Sequence, residues 1–136
     1  MIKGIDHVAI AVGDIDEAIK LFENILGLKV THVEDLQAHG VKAATISVGN
    51  TDIELVQGTS SDSAITRFVE KKGPGIHHIA LAVDDIVAAI ESLQKKAVEM
   101  IDSEPRTGKD ESKVAFVHPR STNRILFELV QPKDDD

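Results

Sequence analysis

The chain repeats itself, and a repeat of this length constrains the fold more tightly than any other feature of the sequence. Gly4-Ile5-Asp6-His7-Val8-Ala9-Ile10-Ala11-Val12 returns as Gly75-Ile76-His77-His78-Ile79-Ala80-Leu81-Ala82-Val83, so that His78 answers His7 at an offset of 71. Asp14-Ile15 and Ala18-Ile19 recur as Asp85-Ile86 and Ala89-Ile90. Ile53-Glu54-Leu55-Val56-Gln57 is echoed by Phe127-Glu128-Leu129-Val130-Gln131 at an offset of 74, and one longer loop absorbs the drift of three. A chain of 136 residues has room for one compact domain. The repeat therefore divides a single domain into two copies of one module, about 1–57 and 75–131, with a connector at 58–74 and a tail at 132–136.

Each copy reads as a strand, a helix and three further strands. In the first, residues 6–12 form a strand and 15–26 a helix. Asp14 is placed to cap that helix, with Glu17 three residues on, and Gly27 to stop it in a left-handed conformation. Residues 28–34, 41–48 and 51–57 are the remaining strands, with Gly49-Asn50 as the hairpin turn between the last two. The second copy has a strand at 78–83, a helix at 86–96 and strands at 98–103, 114–118 and 124–131. The connector holds a short helix at 63–71, ended by Gly73-Pro74-Gly75. The fold class is α+β, built from two tandem βαβββ modules.

Alternation along the strands separates two faces. In the first strand Val8, Ile10 and Val12 lie on one side and His7, Ala9 and Ala11 on the other. The apolar set packs under a helix, whereas small residues and one imidazole suit the wall of a cleft. His78, Ala80 and Ala82 repeat the pattern. Glu54 lies between Ile53 and Leu55, and Glu128 between Phe127 and Leu129, so each carboxylate points away from the packing face. An unpaired charge in an apolar strand is costly to bury. Alone, each of these residues reads as a solvated or hydrogen-bonded surface group. Repeated, they carry another expectation: two modules related by a pseudo-twofold bring His7, Glu54, His78 and Glu128 together. Two imidazoles and two carboxylates suit a divalent ion such as Co, Ni, Zn or Mn.

Composition narrows the partners. The net charge is −8 and there are four Phe, no Trp and no Tyr, a poor basis for binding nucleic acid or an anionic membrane surface. No stretch approaches the roughly 20 apolar residues of a membrane helix, and no signal peptide is evident at the start. The absence of cysteine excludes disulfides, thiolate metal sites and a Cys nucleophile, and is compatible with a cytoplasmic location. The final Lys133-Asp134-Asp135-Asp136 reads as a frayed, solvated tail.

The opening Asp-His-Val-Ala-Ile-Ala-Val resembles that of the vicinal-oxygen-chelate (glyoxalase-like) superfamily. Gly75-Ile76-His77-His78-Ile79-Ala80, Phe116-Val117-His118-Pro119-Arg120-Ser121-Thr122 and Leu126-Phe127-Glu128-Leu129-Val130-Gln131 are similar, more narrowly, to the methylmalonyl-CoA epimerases. So are Gly49-Asn50-Thr51-Asp52-Ile53-Glu54-Leu55 and the Asp62-Ser63-Ala64-Ile65 that follows. The resemblance covers essentially the whole chain and keeps the motifs in order. It implies a cupped, incomplete eight-stranded mixed sheet around one divalent metal held by His7, Glu54, His78 and Glu128. Some relatives carry Gln where this chain has Glu54.

The reaction implied is interconversion of the C2 epimers of methylmalonyl-CoA. Removing a proton alpha to a thioester gives an enolate whose charge a Lewis acid stabilises. Glu128 is the candidate base on one face of C2. The family carries another glutamate on the strand matching 41–48, but Val41-Lys42-Ala43-Ala44-Thr45-Ile46-Ser47-Val48 has no acid. Glu54 is the candidate to substitute for it. His118, Arg120 and Ser121 are expected in the substrate pocket, and Arg106, Lys109, Lys113 and Arg124 are further candidates to meet acyl-CoA phosphates. Two loops depart from the family pattern. Asn123-Arg124 stand where glycines usually follow the His-Pro segment, and residues 106–113 are less glycine-rich. His77 is expected to shape its strand, and His32 and His39 to be surface residues. The same ligand set occurs in glyoxalase I, which isomerises a glutathione hemithioacetal, and a metal-free sequestering protein of this fold is the alternative from another class. Superfamily relatives are commonly dimers, and a homodimer is expected on that analogy.

Overall fold

The computed structural model describes residues 1–133, so the acidic end of the expected tail, from 134 on, lies outside the described residues. The chain runs through β1 (Ile2–Ala11), α1 (Ile15–Leu26), β2 (Val30–Leu36), β3 (Val41–Val48), β4 (Thr51–Gly58) and α2 (Ala64–Lys72). It continues with β5 (Gly75–Val83), α3 (Ile86–Lys95), β6 (Arg106–Thr107), β7 (Lys113–Val117) and β8 (Phe127–Gln131). Apart from α2, that order is βαβββ followed by βαβββ. Pairing is mixed parallel and antiparallel throughout, and the fold is α+β, the class expected. The chain forms two compact units, His7–His77 and, separately, Met1–Asp6 with the chain from His78 onward. No helix among the described residues is long and apolar enough to cross a membrane.

In the His7–His77 unit the strands are ordered β2-β3-β4-β1. β3 pairs antiparallel with both β2 and β4, and β1 pairs parallel with β4. α1 starts where expected because the Asp14 carboxylate accepts the Glu17 N–H at 3.2 Å, filling one of the donors a helix N-terminus leaves open. It stops at Gly27, whose φ of 66° is the left-handed conformation glycine adopts without strain. The helix lays Ile15, Ala18, Ile19 and Phe22 against Ile10, Val12, Ala44, Ile46 and Leu55. The next residues on the same strands alternate to the other face, where Ala11, Ala43 and Val56 pack against Ile65 and Phe68 of α2. α2 approaches β4 so closely at Gly58 that a Cβ there would lie 2.8 Å from the Thr66 backbone nitrogen.

The other unit repeats this plan. Its strands are ordered β5-β8-β7-β6, with β5 parallel to β8 and the remaining pairs antiparallel. Asp85 caps α3 through the Ala88 N–H at 3.1 Å, as Asp14 caps α1. α3 then sets Ile86, Ile90 and Leu93 on Val83, Ala115, Val117 and Leu129.

Three expected strands need correction. The strand at 28–34 is observed as β2, two residues later, because the Leu28 N–H bonds back to the Phe22 carbonyl and closes the helix first. The strand expected at 98–103 does not form; only Met100 bridges to Val117. There the Asp102 carboxylate accepts the Phe116 N–H at 2.8 Å, taking the donor that a backbone ladder would need next. The strand expected from 124 begins only at Phe127. Asn123 and Arg124 have φ of 57° and 70°, and the Arg124 N–H turns back to the Pro119 carbonyl.

Candidate active site

Within the His7–His77 unit, β1 and β4 bring one imidazole and one carboxylate together. Ala9 pairs with Glu54 in register, and His7 stands two residues before Ala9 on the same face. His7 Nε2 lies 3.6 Å from Glu54 Oε2, with 12% and 19% of the two side chains exposed. In the other unit β5 and β8 do the same. Ala80 pairs with Glu128, His78 stands two residues before Ala80, and His78 Nε2 lies 3.2 Å from Glu128 Oε1. These side chains are 12% and 10% exposed. The repeat seen in the sequence is thus a repeat in register. Both pairs are mostly withdrawn from solvent, where a carboxylate without a positive partner is costly.

Conserving register requires fixing each carboxylate strand against its helix. Gln57 and Gln131, three residues beyond Glu54 and Glu128, do this. Gln57 Oε1 accepts the Ile15 N–H at 2.8 Å and Gln131 Oε1 accepts the Ile86 N–H at 2.9 Å. Each glutamine fills a donor at the start of its helix and ties the carboxylate strand to that helix. The repeated Gln was the available signal, and sequence reasoning gave it no role.

The donor chemistry fits a divalent ion. Neutral imidazole nitrogen and carboxylate oxygen are ligands for Zn and its neighbours, with bond lengths of about 2.0–2.2 Å, which set two donors on one ion about 3–3.5 Å apart. The 3.6 and 3.2 Å separations are close to that spacing before any adjustment. Neighbouring side chains hold the second pair. Phe116 pairs with Glu128 across β7 and β8, and its ring meets the His78 ring edge-on at 5.3 Å between centroids. Asp102, bonded to the Phe116 N–H, also pairs with Arg106 at 3.0 Å, and the Arg106 guanidinium lies over the Phe116 ring.

The residues expected in the substrate pocket lie together in the turn after β7. His118 caps the short helical turn Pro119–Ser121, its Nδ1 accepting the Arg120 N–H at 3.0 Å. An accepting Nδ1 leaves the proton of a neutral imidazole on Nε2. Arg120 reaches Glu99 at 3.3 Å while remaining 74% exposed, and Ser121 Oγ accepts the Glu99 N–H at 2.8 Å. Glu99 therefore organises this loop, a role its sequence position does not announce. His77 packs edge-on against Phe68 of α2 at 5.1 Å.

Glu34 on β2 has Oε1 3.0 Å from His32 Nε2, while its Oε2 is buried without a hydrogen-bond partner. Leaving a buried acceptor unpaired costs on the order of 1–3 kcal/mol, so such a group calls for an explanation. His32 and Glu34 lie two apart on one strand, an alternation visible in the sequence but not taken there as a site.

Comparison with known proteins agrees with this architecture. The family model described as Glyoxalase/Bleomycin resistance protein/Dioxygenase superfamily matches residues 6–116. The chain is 40% identical to the ethylmalonyl-CoA/methylmalonyl-CoA epimerase of Cereibacter sphaeroides, over 96% of this chain and 99% of that protein. Among solved structures, it superposes on methylmalonyl-CoA epimerase from Mycobacterium tuberculosis with a TM-score of 0.91 and 33% identity, covering 98% of this chain and 90% of that one. A methylmalonyl-CoA epimerase in complex with methylmalonyl-CoA and NH4+ matches with a TM-score of 0.90 and 31% identity, over 97% and 96%.

Proposed function

The chain belongs to the methylmalonyl-CoA epimerase family, within the glyoxalase, bleomycin-resistance and dioxygenase superfamily, and is an enzyme of the epimerase class; on that premise we propose that it interconverts the two C2 epimers of methylmalonyl-CoA. The observation that carries the reading is the duplicated register. In both copies a histidine stands two residues before the alanine that pairs with a half-buried or buried glutamate. A packing role alone does not require the same two ionisable types at the same ladder positions twice.

His7, Glu54, His78 and Glu128 are the proposed ligands of one divalent ion per chain, with Co, Ni, Zn or Mn compatible with the donors. When bound, such an ion supplies Lewis acidity toward the negative charge that develops when C2 loses its proton. The protein's own groups do the remaining work. The Glu128 carboxylate, held by His78 and by β7 and β8, takes the C2 proton on one face. Glu54 is the second carboxylate of the ligand set with the chemistry to serve the other face. His118, with its Nε2 proton, and Ser121 are assigned to the acyl end of the substrate, and Arg120, extended into solvent, to the CoA phosphates. The proposal includes a homodimer, by the habit of the superfamily, and a cytoplasmic location, with which a chain lacking cysteine is consistent.

Incubating the metal-supplemented protein with a single C2 epimer of methylmalonyl-CoA tests the reading. The expected result is conversion to a roughly equal mixture of epimers, since the two differ only at one acidic centre of a common enolate. A protein that leaves the epimer intact yet isomerises the glutathione hemithioacetal of methylglyoxal is a glyoxalase instead.

A further inference from the structure

The two histidine–glutamate pairs have different neighbours at the same ladder position. Thr45 of β3 lies across from Glu54, whereas Phe116 of β7 lies across from Glu128. Cross-strand partners project to one face, so the Phe116 ring stands on the face that carries Glu128 and His78. It meets the His78 ring edge-on, with centroids 5.3 Å apart and the two planes at 84°. Edge-to-face contacts between rings are directional, so a fixed Phe116 ring restricts the angles open to the imidazole.

Phe116 is in turn fixed by the segment running from Ile101 to Arg106. The Ile101 N–H donates to the Phe116 carbonyl at 2.9 Å, and the Phe116 N–H donates to the Asp102 carboxylate at 2.8 Å. That carboxylate, only 15% exposed, also accepts the Arg106 guanidinium through two nitrogens, Nε at 3.0 Å and Nη2 at 3.3 Å. Two parallel contacts fix the plane of a guanidinium as a single contact cannot. So fixed, it lies 5.9 Å from the centroid of the Phe116 ring, within reach of cation–π attraction. Asp102, which interrupts the strand expected at 98–103, thus holds both the backbone of Phe116 and the cation over its ring.

We propose that Arg106, tethered by Asp102, is a positioning residue for His78. It holds the Phe116 ring against the imidazole and keeps His78 Nε2 directed to the point it shares with Glu128 Oε1, 3.2 Å away. This rests on the reading of His78 and Glu128 as metal ligands. An imidazole whose direction is set before an ion arrives binds it more tightly, and residues that orient a ligand are worth ~10–100-fold in affinity or activity. The same geometry removes Arg106 from the cations expected to meet acyl-CoA phosphates. A phosphate would have to displace a carboxylate already held by two nitrogens of the guanidinium. The position uses the planar fork of arginine, and a positive charge alone does not replace it.

The test compares the native protein with Arg106→Ala, Arg106→Lys and Phe116→Leu. Three quantities are read: cobalt affinity by equilibrium dialysis, the His78 ring-proton resonances of the metal-free protein, and kcat against KM for methylmalonyl-CoA at saturating cobalt. In Arg106→Ala, cobalt affinity and kcat each fall ~10-fold, while KM stays close to native. The His78 resonances move in the direction they take in Phe116→Leu. Arg106→Lys, which keeps the charge and loses the fork, behaves as Arg106→Ala does. Arg106 is 56% exposed, so these variants unfold near the native temperature. Native cobalt affinity with unmoved His78 resonances in Arg106→Ala overturns the proposal. So does a raised KM that Arg106→Lys restores at native cobalt affinity, the behaviour of a phosphate contact. Affinity lost in Phe116→Leu but native in Arg106→Ala also overturns it, leaving Phe116 to act by packing alone. A native protein that binds no cobalt overturns both this proposal and the ligand set. If the native protein binds cobalt yet epimerises nothing, the epimerase reading fails, and dialysis with the His78 resonances still decides the role of Arg106.

Discussion

Replacing Glu128 by Gln is expected to lower epimerisation by about 10³-fold or more, with C2 exchange falling in step for the epimer whose proton Glu128 removes. Glutamine preserves the shape of the side chain and its place between Phe116 on β7 and Ala80 on β5. What it removes is basicity and charge, because an amide cannot take the C2 proton and is a weaker ligand. Glu128 is one of the few buried polar residues and its pairing with His78 at 3.2 Å is the shorter of the two histidine–glutamate pairs. The native fold should survive the change, since β8 is anchored independently through Leu129 in the α3 core and through Gln131 at the helix start. Steady-state rates together with far-ultraviolet circular dichroism separate lost chemistry from lost fold.

The second large effect concerns the duplicated pairs. His7→Ala is expected to weaken divalent-metal binding at least ~100-fold, more than loss of a supporting residue around a metal causes. His78→Ala should do the same, and neither variant should keep half of the native metal content. That symmetry follows from a single ion served by both repeats. If each histidine–glutamate pair held an ion of its own, His7→Ala would retain one equivalent at native affinity on His78 and Glu128. Equilibrium dialysis with cobalt, read by elemental analysis, distinguishes the two.

Much of this was open to inspection in the sequence, and the places where it was not have local causes. The bounds of α1 came from Asp14 and Gly27, and both residues act as their chemistry suggests, through a capped Glu17 N–H and a left-handed φ. β3 came from a run of residues ended by the Gly49-Asn50 turn signal, and it is observed with the expected bounds, Val41–Val48. The duplicated motif identified two histidine–glutamate pairs because period-two alternation already put each on the face away from the helix. By contrast, the missing strand at 98–103 is lost to one side chain, Asp102, whose bond to the Phe116 N–H no propensity records. The two loops that depart from the family's glycines are instructive in another way. Asn123, Arg124, Asp110 and Glu111 all have positive φ, between 55° and 70°. Here ordinary side chains stand in the left-handed conformation that glycine adopts at no cost, a strain of about 1–2 kcal/mol for a residue such as Arg124 and less for Asn123 and Asp110.

On the proposed reading, inversion at C2 depends on one divalent ion held by a histidine–glutamate pair from each repeat. Its most direct test is the rate of C2 deuterium exchange on methylmalonyl-CoA as metal is titrated into chelator-stripped protein. Negligible exchange is expected in the stripped protein, rising in proportion to added metal and reaching its plateau at one equivalent per chain. Full exchange without metal, or a plateau that requires two equivalents, would contradict it.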